Sequence, residues 1–177
     1  MSNEVEIGRG KRARRAYSLD DIALVPARRT RDHEDVNVSW QFDAYHFDIP
    51  IIAAPMDSVM TPTNAITFSN LGGLGVIDLE GVWTRYEDPQ AVLDEIAQLP
   101  AWESTKRLQQ IYKEPIKDEL IALRLEQMRE AGVVVAGRLS PQRVLRYWRT
   151  AVEAGLELFV IRGSTVSAEH VCSRGEA

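Results

Sequence analysis

The sequence predicts an α/β fold in which a parallel sheet is flanked by crossover helices. Four short apolar runs of strand type, at residues 50–54, 74–77, 133–137 and 156–161, alternate with helical segments. The first run lacks the polar alternation of a sheet with one wet face, which suits a sheet buried on both faces. Strands and helices that alternate in this way favour parallel pairing through crossover connections.

The predicted helices have recognisable beginnings and ends. A Thr-Pro pair at residues 61–62 places an N-cap before a proline at the first helical position, and two glycines at residues 72–73 end that helix. An Asp-Pro pair at residues 88–89 opens the next helix, which Pro100 ends. A third helix is predicted over residues 116–130.

The last predicted helix has the clearest amphipathic pattern. It begins at a Ser-Pro pair at residues 140–141, carries an apolar stripe, and ends at Gly155. Residues 101–114 are predicted as a polar connection. The main repeat begins at Ile49, and residues 36–40 alternate like a half-buried strand that lies outside the repeat.

The strand count leaves two architectures open. An open doubly wound sheet and a closed barrel both alternate strands with helices, and the pattern alone does not separate them. A complete (β/α)8 barrel needs about 250 residues and about eight strands. The 177 residues supply four predicted strands, so a barrel would be only half present.

Composition excludes several classes of protein. Hydrophobic residues make up 45% of the chain and charged residues 27%, which are ordinary values for a soluble domain. No apolar run approaches the roughly 20 residues that span a bilayer. The net charge of −5 gives no support to nucleic acid as the main partner. The single cysteine, Cys172, cannot form an internal disulfide, and this predicts a cytoplasmic protein.

The N-terminal segment differs from the rest of the chain. Residues 9–15 contain five basic side chains, and residues 1–16 are predicted to form a flexible basic arm. Such an arm can hold a phosphate or nucleic acid, but a solvated run is the simpler interpretation. Residues 17–177 are predicted to form the main domain.

Three motifs follow one another between Tyr17 and Asp78. Residues 17–26 read Tyr-Ser-Leu-Asp-Asp-Ile-Ala-Leu-Val-Pro, residues 49–59 read Ile-Pro-Ile-Ile-Ala-Ala-Pro-Met-Asp-Ser-Val, and residues 72–77 read Gly-Gly-Leu-Gly-Val-Ile. In this order and spacing they resemble the opening motif, the first barrel strand with its turn, and the second strand of the IMP dehydrogenase/GMP reductase family. The resemblance implies a TIM barrel, of which this chain is the N-terminal half with about four strand–helix units.

The resemblance also implies an activity. It indicates an oxidoreductase of purine nucleotide metabolism that converts IMP to XMP with NAD. Many IMP dehydrogenases carry a pair of CBS modules after the second strand, and residues 79–132 are too short to contain them. GMP reductase, which converts GMP to IMP with NADPH, is therefore an alternative. A non-catalytic nucleotide-binding or subunit-pairing remnant is an alternative of another class.

The turn after the first predicted strand holds the expected substrate residues. By resemblance, Ala54 and Met56 lie against the bound purine nucleotide, and Asp57 follows them at the mouth of the barrel. Many relatives carry serine at position 54, so a hydroxyl contact is missing here. The purely structural alternative is that Met56 fills the core and Asp57 caps the next helix.

The turn after the fourth predicted strand is the expected site of NAD or NADP. Family dehydrogenases usually carry Asp-Ser-Ser there, whereas this chain has Arg162, Gly163 and Ser164. An arginine only donates hydrogen bonds, so it does not replace an aspartate that accepts them from ribose. Arg162 is suited to a phosphate or a neighbouring acid, or it is an ordinary surface arginine.

No catalytic residue and no metal site is assigned within the chain. The family's nucleophilic cysteine lies after the sixth strand, which would fall beyond Ala177, so the chain is expected to be an inactive fragment. Cys172 and nearby His170 are too few for zinc, which takes about three or four protein ligands, and Cys172 is interpreted as an incidental thiol. The resemblance allows a monovalent cation, also bound beyond this chain, and implies a homo-tetramer for the full-length form.

Overall fold

A computed structural model describes residues 4–26 and 29–163. The chain divides after Asn37 into two compact units, residues 1–37 and residues 38–177. No helix among the described residues is both long and apolar enough to cross a membrane.

The first unit is small and exposed. Strands β1 (Glu4–Glu6) and β2 (Arg12–Arg14) pair antiparallel within the segment predicted as a basic arm. Gly8 and Gly10 have positive φ angles in the loop that joins them. Two 3-10 turns, Leu19–Asp21 and His33–Asp35, follow.

The second unit begins with an aromatic hairpin. Strand β3 (Trp40–Phe42) pairs antiparallel with β4 (Tyr45–Phe47), and Asp43 makes the turn with φ 50°. The prediction of a half-buried strand over residues 36–40 is wrong, because the strand begins only at Trp40. The Trp40 ring stacks on Phe47 and its indole N–H donates to the Ile49 carbonyl, and these contacts place the hairpin.

A parallel sheet of four strands follows, in chain order. Its strands are β5 (Ile52–Ala53), β6 (Leu74–Asp78), β7 (Ala136–Leu139) and β8 (Leu158–Ile161). The predicted parallel sheet with crossover helices is confirmed. The third strand starts three residues later than predicted, because the Val135 N–H donates to the Glu157 carboxylate instead of a neighbouring strand.

Five helices connect these strands: α1 (Pro62–Asn70), α2 (Pro89–Gln98), α3 (Ala101–Ile111), α4 (Asp118–Glu130) and α5 (Pro141–Glu153). Two of the predicted caps are confirmed. The Thr61 hydroxyl accepts from the Asn64 N–H at 3.0 Å, and the Asp88 carboxylate accepts from the Ala91 N–H at 3.2 Å. Each bond satisfies one of the N–H groups that lack a partner at a helix start.

Helix α3 corrects the prediction of a polar connection over residues 101–114. Pro100 ends α2 and also stands as the N-cap of α3, so one proline separates two helices. The Arg107 guanidinium makes two hydrogen bonds to the Glu95 carboxylate, at 2.6 and 2.8 Å, and this pair joins α3 to α2. Ile111, at the end of α3, is fully buried.

The core lies on both faces of the sheet. On one face, Ile77, Leu79 and Leu139 pack against buried side chains of α1, α4 and α5. On the other face, Leu74, Val76 and Ala136 form a smaller cluster with Phe47 and its hairpin. The alternation of residues 74–77 between these clusters is the period of a strand buried on both sides.

Helix α1 lies unusually close to β6. A Cβ atom at Gly75 would be 2.6 Å from Ala65 Cα, which is closer than real carbon atoms pack. The Gly75 N–H also donates to the Ser69 hydroxyl of α1 at 3.3 Å. Glycine is therefore required at position 75 by the approach of the helix, not by its backbone angles.

Candidate functional site

The carboxyl ends of the four parallel strands lie at one edge of the sheet. The segments that leave this edge are residues 54–60 after β5, residues 79–82 after β6, Ser140 after β7 and residues 162–163 after β8. In sheets and barrels of this kind, binding sites form at this edge. The structure thus brings the predicted substrate turn and the predicted cofactor turn to the same edge.

The substrate turn, residues 54–60, is closed by its own backbone. The Met56 N–H donates to the Ala54 carbonyl at 2.9 Å, and the Met56 carbonyl accepts from the N–H groups of Val59 and Met60. The side chain of Asn64 holds the far end by donating to the Val59 carbonyl at 2.7 Å. A turn held by these bonds presents its side chains in fixed directions.

Ala54 and Met56 are exposed in this turn. Met56 keeps 46% of its surface accessible, so the alternative that it fills the core is wrong. An exposed thioether beside an exposed methyl group is an apolar surface on which a flat aromatic ligand can lie. The substrate contact itself remains a prediction.

Asp57 has protein partners. Its Oδ2 atom accepts the Val82 N–H at 2.7 Å and the Tyr112 hydroxyl at 2.5 Å. Its Oδ1 atom is buried and has no hydrogen-bond partner among the described residues. Thr61 is the N-cap of α1, so the alternative that Asp57 caps this helix is wrong. Asp57 instead joins the substrate turn to the segment after β6.

Gly81 makes room for the Asp57 carboxylate. A Cβ atom at Gly81 would overlap both carboxylate oxygens of Asp57. Tyr112 closes the other side of the carboxylate, and burial, together with the hydrogen bond to Asp57, raises the pKa of Tyr112. The phenol therefore stays protonated and serves as a donor to Asp57.

The segments after β6 and β7 are joined by two further contacts. Arg138 donates to Asp78 at 3.1 Å, and both side chains are largely buried. The Glu80 carboxylate accepts the Ser140 N–H at the start of α5. Burial raises the pKa of Asp78, while the Glu80 N–H and Arg138 act in the opposite direction. Arg138 thus stabilises a carboxylate that its surroundings penalise.

The predicted cofactor turn lies beside Arg138. A second Arg138 nitrogen donates to the Arg162 carbonyl at 3.4 Å, while the Arg138 Nε atom is buried without a hydrogen-bond partner among the described residues. An open cavity of about 370 Å³ is lined by Arg138, Ser140, Gln142, Arg162 and Gly163. Ser164, the third predicted cofactor residue, lies outside the described residues.

The residues of this cavity fit a phosphate-bearing cofactor. Arg162 is exposed and makes no ion pair among the described residues, so its guanidinium is available to an anion. Guanidinium groups bind phosphate with paired hydrogen bonds. No group of three or more His, Cys, Asp or Glu side chains within the described ranges is placed to hold a metal ion.

Four residues of this edge escaped the sequence analysis: Glu80, Gly81, Tyr112 and Arg138. Tyr112 touches Asp57 across 55 positions of the chain, and no local pattern reports such a contact. The glycine after the second strand was a usable signal, because a glycine near a strand end often marks a close approach.

A parallel α/β sheet with polar contacts along its carboxyl edge defines a class of enzyme scaffold. The family model described as the IMP dehydrogenase/GMP reductase domain matches residues 16–111, more than half of the chain. The chain belongs to the IMP dehydrogenase/GMP reductase family, whose members are oxidoreductases.

Relatives and a solved structure agree with this assignment. An uncharacterized oxidoreductase of Mycolicibacterium smegmatis is 43% identical over 97% of this chain, and one of Mycobacterium tuberculosis is 42% identical over the same share. Inosine-5'-monophosphate dehydrogenase of Methanocaldococcus jannaschii is 42% identical over 37% of this chain and 13% of its own length.

The fold is confirmed by a crystal structure. An IMP dehydrogenase/GMP reductase-like protein from Corynebacterium glutamicum superposes with a TM-score of 0.83 at 42% identity, covering 96% of this chain and 47% of that one. The chain also spans 47% of the length of the mycobacterial relatives. The predicted N-terminal half of a (β/α)8 barrel is therefore confirmed.

Proposed function

We propose that this chain forms the first half of the purine-nucleotide and cofactor site of a cytoplasmic oxidoreductase that converts IMP to XMP with NAD. The observation that carries the proposal is the substrate turn. Ala54 and Met56 are exposed at the carboxyl edge of the sheet, in a turn that its own backbone and Asp57 hold in place.

The purine would lie against the Met56 thioether. A thioether is polarizable and makes favourable contacts with aromatic rings. Ala54 adds a methyl group and no hydrogen-bonding group, so recognition of the polar parts of the nucleotide has to come from other residues. This half of the site therefore supplies mainly apolar contact and shape.

The dinucleotide would lie across the carboxyl ends of β7 and β8. Arg162 and Gly163 would hold it, with Arg138 at the base of the same cavity. When bound, a nicotinamide cofactor accepts or donates the hydride. The part of the protein is to orient the two ligands and exclude water.

GMP reductase, which uses NADPH, is the second candidate. Arg162 favours it, because an exposed guanidinium suits a ligand with an additional phosphate better than one that offers ribose hydroxyls. The segment between β6 and β7 also favours it, because its long elements are α2, α3 and α4, with no inserted module.

A subunit-pairing role is the candidate from another class. The outer side of α5 and the edge strand β8 expose Leu145, Val152 and Ile161. Exposed apolar side chains in one patch are typical of surfaces that another chain or segment covers. An oligomer, with four copies as the family resemblance implies, would bury such surfaces.

An activity assay separates the two enzymatic candidates. The protein expressed from its complete gene is supplied with IMP and NAD in one reaction and with GMP and NADPH in another, and reduced cofactor is followed by its absorbance. Production of XMP with NADH supports the first proposal. Consumption of NADPH with GMP alone would favour the second, and turnover in neither reaction would favour the pairing role.

The substrate turn has its own test. Met56→Ala is expected to weaken IMP binding about tenfold, because it removes most of the apolar surface beneath the purine. Val59→Ala is the matched control, since Val59 is equally exposed in the same turn, at 48%. Equal affinities of both variants and the wild type, measured by calorimetry, would contradict the placement of the purine.

A further inference from the structure

We infer that Tyr112 is a positioning residue, which holds the substrate turn in its binding geometry through Asp57. Its importance for nucleotide binding rests on the proposed function, whereas its hold on the turn does not. The observation behind the inference is the convergence of two donors on one carboxylate oxygen. The Tyr112 hydroxyl and the Val82 N–H both donate to Asp57 Oδ2.

Tyr112 is itself firmly placed. It follows the last residue of α3 and is the C-cap of that helix. The buried Arg85 side chain donates to the Tyr112 carbonyl at 3.2 Å, and its guanidinium lies 5.3 Å from the centre of the Tyr112 ring. Arg85 also donates to the carbonyls of Glu80 and Glu114. The phenol is therefore a fixed post and not a mobile surface side chain.

Asp57 depends on these donors. Its other oxygen, Oδ1, has no hydrogen-bond partner among the described residues, so both known donors act on the same atom. Loss of one donor from a buried carboxylate removes a charge-assisted hydrogen bond, which is stronger than a neutral one. Without the Tyr112 hydroxyl, the Val82 N–H remains as the single contact to this oxygen.

The anchored residue is the immediate neighbour of Met56. The Met56 carbonyl accepts the N–H groups of Val59 and Met60, so the peptide between Met56 and Asp57 is the pivot of the turn. A displacement of Asp57 would therefore change the direction of the Met56 side chain. In this way α3, which does not line the carboxyl edge of the sheet itself, determines where Met56 points.

The test compares two tyrosine variants that each lose one hydroxyl. Tyr112→Phe keeps the ring under Arg85 and removes the bond to Asp57. Tyr86→Phe is the matched control, because the Tyr86 hydroxyl donates to the Ile111 carbonyl at 3.1 Å, one residue from Tyr112, without touching the turn. Hydrogen exchange at the amides of Val59 and Met60, global stability and IMP affinity are measured for both variants and the wild type.

Tyr112→Phe is expected to speed exchange at these two amides about tenfold, the order of effect of one lost hydrogen bond to a charged group, and to weaken IMP binding by several-fold. Tyr86→Phe is expected to change neither, although both variants lose similar global stability. Unchanged exchange in Tyr112→Phe, or equal acceleration in both variants, would overturn the inference. A wild-type protein that does not bind IMP would overturn the proposed function, and the exchange comparison would still decide the role of Tyr112.

Discussion

The carboxylate of Asp57 occupies the space that a side chain at position 81 would need. Gly81 has φ −84°, an angle that any residue adopts, so only the contact with Asp57 requires glycine there. We expect Gly81→Ala to destabilise the fold by about 1–3 kcal/mol, because the added methyl group displaces a packed and hydrogen-bonded side chain. Denaturant unfolding measures the change.

Gly132→Ala is the control for this prediction. No atom lies within 4 Å of a Cβ built at Gly132, but its φ is +71°, which alanine adopts at a cost of about 1 kcal/mol. IMP affinity separates the two sites further, since only Gly81→Ala should disturb the substrate turn. If Gly81→Ala left both stability and affinity unchanged, the packing of Asp57 on Gly81 would be incorrect.

The raised pKa of Tyr112 predicts a specific alkaline behaviour. The folded protein holds the phenolic proton more tightly than the unfolded chain, in which the tyrosine pKa is near 10.0. The stability that this proton contributes is complete below pH 10.0 and is lost as the pH rises through the raised pKa. The difference in unfolding free energy between wild type and Tyr112→Phe should therefore be constant near neutral pH and shrink at strongly alkaline pH.

Absorbance titration of tyrosine provides the complementary measurement. In Asp57→Asn the carboxylate is gone, so the pKa of Tyr112 should fall towards its ordinary value while burial still holds it above. A Tyr112 pKa that does not respond to Asp57→Asn would contradict the hydrogen bond between the two side chains.

Single residues differed in how well the sequence predicted them. The places of Ala54 and Met56 followed from the motif at residues 49–59, because a strand followed by this turn leaves few alternatives for their exposure. The partners of Asp57 were not predictable, since Tyr112 is brought to it by the packing of α3 and not by any local pattern.

At the scale of elements, the pair Asp78 and Arg138 joins β6 to β7. The two side chains are 16% and 20% exposed, so their charges are largely removed from water. We expect Arg138→Met to destabilise the fold by about 3 kcal/mol, because it leaves the Asp78 charge without its partner. Unfolding by denaturant at neutral pH is the measurement.

The double variant Asp78→Asn, Arg138→Met tests the cause. It removes both charges and should recover a large part of the lost stability, since a neutral amide costs less to bury than an unpaired carboxylate. A double variant less stable than Arg138→Met alone would show that packing, and not charge, dominates at this place.

Elements with strong punctuation were predicted well, and polar ones were not. The helices opened by Thr61 and Asp88 have proline at their first position, and the structure places both within a residue of the prediction. Helix α3 was missed because most of its side chains are polar, and its stability comes from the pair between Arg107 and Glu95 and from buried Ile111. Such tertiary contacts override a weak local signal.

At the scale of the whole molecule, the pattern of strands and helices left an open sheet and a barrel equally acceptable. The choice came from three motifs in a fixed order, which is information about ancestry and not about packing. The crystal structure from Corynebacterium glutamicum confirms the choice, with four strands of a barrel covered by 47% of its length. The cofactor preference had no comparable signal, because a single substitution at Arg162 is compatible with either dinucleotide.

The 177-residue chain on its own is predicted to form no XMP from IMP and NAD. The proposed chemistry needs a thiolate beside the purine, and the described residues of the carboxyl edge include no cysteine. Chromatographic detection of XMP after prolonged incubation is the measurement. XMP above the level formed without protein would refute the prediction, and Cys172→Ser would then show whether that thiol is the nucleophile.

One hydrogen atom on Gly75 sets the thickness of the layer between α1 and β6. The same helix begins at Thr61, directly after the substrate turn, so this thickness is also the height at which Met56 stands above the strand ends. A methyl group at position 75, remote from any ligand, would lift the helix and tilt the platform for the purine. Evolution of this family can thus retune its substrate seat from inside the wall, without exchanging any residue that the nucleotide touches.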